Sequence, residues 1–374
     1  MATEENSATP SLPWRVASTV TLSLVGVISK TFLTFATKKE VYGLDGFVEL
    51  LDRRRDVSER ERGLLTVSNH LSVVDDPVIW GLLPLRHFSP QTIRWSLGSH
   101  DICFTGSAVT TFFSLGQVLP THRKLHSPYG GLFQPTITQC IRLLSRGPFT
   151  TPTPPHPLWP SKRHSEQHND ISDPFTDPTY TYSTTGTDVF RAPSSDARNR
   201  YSWLHIFPEG KVHQRLDRNM RYFKWGVARL ILEADACPEV VPMWIEGFDS
   251  IMHEARPAPR WFPRLGRKVS ITFGEPVSET VWAGFRERWK RLKAREKMDN
   301  AALGVLNNEL MTGKESAELR MEVTKEVREQ VLKLRRRRGW ADEDPKAGVW
   351  STYLEEGGKY YEGQMEDGSW IKDT

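Results

Sequence analysis

Charged positions are absent from Val16 to Ser29, with Arg15 and Lys30 at the two ends and Lys38 and Lys39 beyond. These fourteen residues fall short of the roughly twenty that a full bilayer span needs. Three readings fit the pattern: a secretory signal core, a buried core helix, and an interfacial or re-entrant anchor with Trp14 and the lysines at head-group depth. Glu4 and Glu5 precede the stretch and no convincing cleavage site follows it, which argues against the signal. The pattern predicts a membrane-associating segment over 14–37, with Trp14, Leu22, Leu24, Val25, Val27 and Ile28 as anchoring side chains. Residues 1–13 are expected to be disordered.

From Val41 onward, short apolar runs alternate with helical spacing. Leu64-Leu65-Thr66-Val67 reads as a buried strand, and Pro77–Leu83 as a helix with Asp76 as its cap and Pro77 in its first position. Gln117–Leu119 reads as a strand, and Ile137, Cys140, Ile141 and Leu144 share a helical face. Residues 151–200 break the alternation. They hold eight prolines and are rich in Ser, Thr and Asp, so they are expected to form a structureless insertion. A linker between two domains is the other reading. Strand patterns return at Trp203–Phe207, Val240–Ile245 and Val269–Phe273, and helical ones at Phe223–Ala234 and Leu319–Leu334. The alternation predicts an α/β fold, a mostly parallel sheet flanked by helices behind an N-terminal membrane-anchoring helix. The main domain would span 38–338, with a polar C-terminal tail over 339–374.

Composition narrows the partners. Fifty Lys and Arg against 46 Asp and Glu leave a formal charge of +4, too little to argue for nucleic acid. Thirteen Trp and 17 Phe suit a membrane surface and suit an ordinary soluble protein equally. Cys103, Cys140 and Cys237 are widely spaced and include no Cys-x-x-Cys, so neither a disulfide framework nor a zinc cluster is expected.

The chemistry sits in short strings. His70 and Asp75 are five apart, wrong for one helical face but right if His70 lies in the loop after the first strand and Asp75 opens the next helix. A histidine serves as a base near neutral pH, and a carboxylate on its second nitrogen orients it. Read alone, the pair also fits a loop histidine and a helix cap. Asn69 and Ser72 can hold the turn. Phe207-Pro208-Glu209-Gly210-Lys211 follows a strand: Gly210 permits close backbone approach, and Lys211 can neutralise a phosphate. Arg123 follows the Gln117–Leu119 strand, at the edge where α/β sheets bind ligands, and can grip a phosphate. Pro242 interrupts an apolar strand-like run. No metal site is expected, because no further histidine or cysteine stands at ligand spacing from His70, Asp75 and Asp76.

Asn69-His70-x4-Asp75, Arg123, Phe207-Pro208-Glu209-Gly210 and Val241-Pro242, in this order, resemble the four motifs of the glycerolipid acyltransferase family. The longer strings Asn69–Pro77, His205–Val212, Phe223–Gly226 and Val241–Trp244 are most similar to its cardiolipin-remodelling branch. That resemblance implies a transacylase that moves acyl chains between phospholipids and lysophospholipids without coenzyme A. It implies no cofactor, and a place on mitochondrial membranes facing the intermembrane space. His70 would be the base and Asp75 its orienter, with Asn69, Arg123, Glu209, Gly210, Lys211 and Pro242 contacting substrate. Phospholipids, lysophospholipids, cardiolipin and a membrane surface are the expected partners; self-association into a homo-oligomer stays open. The runner-up is an acyl-CoA-dependent lysophospholipid acyltransferase.

Overall fold

In the computed structural model, which describes residues 9–124, 126–149, 181–254, 259, 261–356, 363–364 and 370–371, Leu64–Ser68 (β2) is buried at every position. It pairs in parallel with Trp203–Ile206 (β7) on one side and Glu239–Glu246 (β8) on the other. A strand with neighbours on both sides and helices on both faces has no polar face to present, which is why its sequence is continuous rather than alternating. The five-stranded sheet is completed by Arg267–Phe273 (β9), antiparallel to β8, and Thr37–Tyr42 (β1), parallel to β9, giving the order β1-β9-β8-β2-β7. One bridge, Trp95 to Leu204, hangs a two-stranded parallel ribbon of Ser96–Ser99 (β3) and Val118–Thr121 (β4) on its edge.

Alternation along the strands splits the core into two layers. Leu65, Val67, Val240 and Trp244 pack with Pro135–Leu143 (α6), Gly226–Glu233 (α7), Glu279–Arg295 (α9) and Lys314–Arg337 (α11). Leu64, Val241, Met243 and Ile245 face the other way, toward Leu12–Phe35 (α1), Leu44–Arg53 (α2), Asp75–Trp80 (α3) and Phe248–Ile251 (α8). The expected α/β architecture is present, with one antiparallel strand pair in the sheet.

The apolar N-terminal stretch is a single helix of 24 residues, about 36 Å long. Ser18, Leu22, Gly26, Ser29 and Leu33 face the protein, at the spacing of one helical face. Gly81 lets α1 come against α3, since a Cβ there would lie 2.6 Å from the Lys30 backbone nitrogen. The outer face is apolar and open: Leu12, Val16, Val20, Leu24, Val27, Ile28 and Phe35 are exposed. Beside it Ser107–Leu115 (α5) exposes Val109 and Phe112. Leu22, expected among the anchoring side chains, points instead into the core at 4% exposure; Val25 is half-buried, and so is Trp14 beneath the Arg191 guanidinium. By length and composition α1 can cross a membrane, and its open face suits membrane association.

Three further expectations change. The helix in the His70 motif begins at Asp75 with Val74 as its cap residue, so Asp76 does not cap it; its carboxylate binds Arg94, Trp80 and Ser96 instead. Of the insertion expected to lack structure, 150–180 lies outside the described residues, but 181–200 is packed. There Asp188 closes a turn by accepting from Ser183, Thr184 and Thr185, and Ser194 donates to Gln139. These are polar anchors that a search for apolar periodicity does not register. The tail expected from Gly339 also starts ordered, with Tyr353 buried and Trp340 donating to Glu246.

Candidate active site

The parallel strands β2 and β7 deliver their C-terminal loops to one place, and His70 and Glu209 meet there. His70 Nδ1 lies 2.9 Å from Asp75 Oδ2. The same oxygen accepts the backbone N–H groups of Leu71 at 2.6 Å and Ser72 at 2.8 Å. Because that oxygen collects donors, it fixes the tautomer with the proton on Nδ1. Nε2 is then the nitrogen left to a substrate, on a ring 20% exposed. Asp75 is fully buried. Burial pushes its carboxyl above the ordinary range, while His70 and the two N–H groups pull it back. The imidazole stacks on Phe207, with centroids 4.3 Å apart.

Glu209 holds the loop from behind. It is buried, and its two oxygens accept the N–H of His70 at 2.8 Å and that of Arg221 at 2.9 Å. Burial pushes its carboxyl up to about 7 against the pull of those donors. Asn69, also buried, exchanges two hydrogen bonds of 2.9 Å with the backbone of Ile245, extending β2 against β8 by a side chain. Ser72 donates to the Met252 carbonyl. Pro242 is buried in β8 opposite Val67. Its carbonyl accepts from Gly274, beyond the last β9 pairing, so its missing N–H costs no ladder bond. Asn69, Glu209 and Pro242 therefore build the site from within.

A cluster of cations gathers on the loop that follows Glu209. Gly210 has φ +64, a conformation that favours glycine, and a Cβ there would lie 2.7 Å from Lys224 Nζ. Lys224 is exposed as a residue, yet desolvation, then the charges of Arg221, Arg123 and Lys211, push its ammonium down to about 8. Arg123 also meets Asp101, with Nε 3.2 Å from Oδ1. Arg221 lies 4.1 Å over the Tyr353 ring. Arg123 and Lys211 were expected here from the sequence. Phe207 and Lys224 lay inside quoted motifs without a role, Arg221 had no signal, and Tyr353 stood in a tail read as disordered.

The start of α3 offers little to an oxyanion: Pro77 has no N–H, and that of Val78 is spent on the Val74 carbonyl. His100, His122 and Asp188 gather within 4.8 Å, but His122 bonds Ser127 and Thr184 through its two nitrogens. The His100 and His122 rings stack at 24°, so their lone pairs do not converge on one ion.

An imidazole oriented by a buried carboxylate, with clustered cations on the adjoining loop and an apolar helix face in the same domain, suits a hydroxyl on a lipid phosphate: this is a phospholipid acyltransferase. The chain is 36% identical over 347 residues to the protein named Tafazzin of Saccharomyces cerevisiae, across 89% of this chain and 81% of that one. It belongs to the tafazzin family. The Drosophila melanogaster Tafazzin is 30% identical over 72% of this chain and 53% of its own. An N-acylphosphatidylethanolamine synthase of Arabidopsis thaliana is 28% identical over 69% of each. No family model matches the chain. A solved structure, the 1-acyl-sn-glycerophosphate acyltransferase PlsC of Thermotoga maritima, overlays with a TM-score of 0.36 at 15% identity, over 76% of this chain and 81% of that one.

Proposed function

We propose that this chain is a coenzyme A-independent transacylase that moves an acyl chain from a phospholipid to a lysophospholipid and remodels cardiolipin. Its place would be on mitochondrial membranes facing the intermembrane space. The observation that carries the chemistry is the His70–Asp75 pair, joined by Glu209 to the loop on which Gly210 meets Lys224. Arg123, Lys211, Arg221 and Lys224 hold the acceptor phosphate, which sets the acceptor hydroxyl against Nε2. His70 takes the hydroxyl proton, and the alkoxide attacks the ester carbon of the donor. A tetrahedral oxyanion forms, and the cations clustered around Gly210 would meet it. Collapse breaks the donor's ester bond. The imidazolium, steadied by Asp75, returns the proton to the leaving hydroxyl. One ester bond forms as a like one breaks, so the exchange runs near thermoneutral in both directions.

The test mixes labelled phosphatidylcholine with monolyso-cardiolipin and the purified protein, without coenzyme A. Label is expected in cardiolipin. Transfer seen only with acyl-CoA would replace this reading with the acyl-CoA-dependent enzyme.

A further inference from the structure

Among the described residues a roomy cleft lies away from the His70 loop. Its volume is about 460 Å³, inside the ~300–1,000 Å³ range of small-molecule sites. One wall is apolar: Leu12, Val16 and Val20, three residues of the open α1 face. The other is polar, with Arg15 from the first turn of α1, Gln91, and Arg198. Arg15 Nε is buried with no hydrogen-bond partner. Arg198 gives Nε and Nη2 to Asp196, at 3.2 and 2.9 Å, which steadies the guanidinium and leaves Nη1 for another acceptor. Two guanidiniums against the Asp196 carboxylate leave a single net positive charge. The first turn of α1 carries no acidic residue and no side-chain cap, so its free N–H groups add to the pull on an anion.

We propose that this cleft binds the head-group phosphate of an anionic phospholipid, separate from the substrates of the His70 site, with the acyl chains lying along the exposed face of α1. Charge and shape select that occupant. A guanidinium pair recognises a phosphate. The wall running from it is apolar and continues as Leu24, Val27 and Ile28, which a free phosphate would leave wet. The bound lipid would fix the depth and rotation of α1 in the leaflet, and with it the height of the domain above the surface.

The proposal is tested on the full chain with vesicles of phosphatidylcholine, with and without phosphatidylglycerol. Arg15→Gln removes a donor. Gln91→Glu puts a carboxylate into the cleft on an exposed, near-isosteric side chain. Each is expected to lower partitioning onto the anionic vesicles about fivefold. Partitioning onto phosphatidylcholine alone, and acyl transfer in detergent micelles, stay at wild-type values, and inorganic phosphate displaces the protein far less than dispersed phosphatidylglycerol does. Three results would overturn it: Gln91→Glu binding anionic vesicles as tightly as wild type; an equal loss on neutral vesicles, which marks a damaged helix; or displacement by inorganic phosphate as effective as by the lipid, which marks a free-phosphate site.

Discussion

Asp75→Asn separates charge from geometry at the base. The oxygen facing His70 is shared by the N–H groups of Leu71 and Ser72. Turning the new amide so that its NH2 took this place would set a donor against two donors. The asparagine oxygen is therefore directed to the ring, and the nitrogen to the site of Oδ1, which has no partner to lose. The proton stays on Nδ1, and only the carboxylate's charge is withdrawn. A hydrogen bond to a charged group contributes about 1.5–3 kcal/mol against about 1 for a neutral one, so the loss at the imidazolium-like transition state is about 0.5–2 kcal/mol. That is ~2–30-fold in rate, far from the ~10⁴-fold expected where the wrong tautomer forms. Stability should move the other way. Burial raises the Asp75 carboxyl, so at neutral pH its charge opposes folding, and the neutral variant should melt no lower than wild type. Single-turnover transfer of labelled acyl chains, paired with a thermal melt, measures both. A 10⁴-fold loss with an intact fold would show that the backbone donors do not direct the amide. A loss under twofold would remove Asp75 from the mechanism.

Three other outcomes follow from the same geometry. His70→Ala should lose at least ~10²–10⁴-fold in that assay while keeping its far-UV circular dichroism, and residual turnover near wild type would end its assignment as the base. Glu209→Gln replaces one of two acceptors with a donor and should lower stability by about 1–3 kcal/mol, read by denaturant titration. Because the Glu209 carboxyl lies near 7 rather than 4.5, the folded chain binds the extra proton between those values, so its contribution is full below 4.5 and fades as pH rises through 7; the variant's melting temperature should decline less over that window. On the α1 surface, Leu24→Asp should cut vesicle binding with little change in melting temperature, whereas Leu22→Asp should lower the melting temperature sharply, because Leu22 is 4% exposed and Leu24 57%.

The strands were legible because burial on both faces writes itself as unbroken apolar runs, and β2, β7 and β8 fell where those runs lay. The site was legible only as far as its partners are local. His70 and Asp75 lie five residues apart, and one turn joins them. Asn69 was expected to contact substrate through the family resemblance and, by its own chemistry, to hold the turn. Its hydrogen-bond partner, Ile245, is 176 residues away, and no spacing rule reaches that far. Asp76 likewise read as a helix cap, since Arg94, which claims its carboxylate, is separated from it by a loop. The packed segment 181–200 was missed for a related reason: it is fastened by Asp188 and Ser194, residues whose composition signals disorder unless the acceptor is known. Pro242 read as an edge or bulge residue because nothing in the strand itself tells where the neighbouring ladder stops.

The two bonds of Glu209 have a consequence for how this protein comes into being. They tie the backbone of residue 70 to that of residue 221, across 139 residues on one side. While the chain is being made, the histidine motif emerges early, and the carboxylate that positions it emerges much later. A nascent or truncated polypeptide ending before residue 209 thus holds the His70–Asp75 motif without a fixed base. Under the proposed mechanism, acyl transfer would wait until the second half of the sheet has been laid down beside the first.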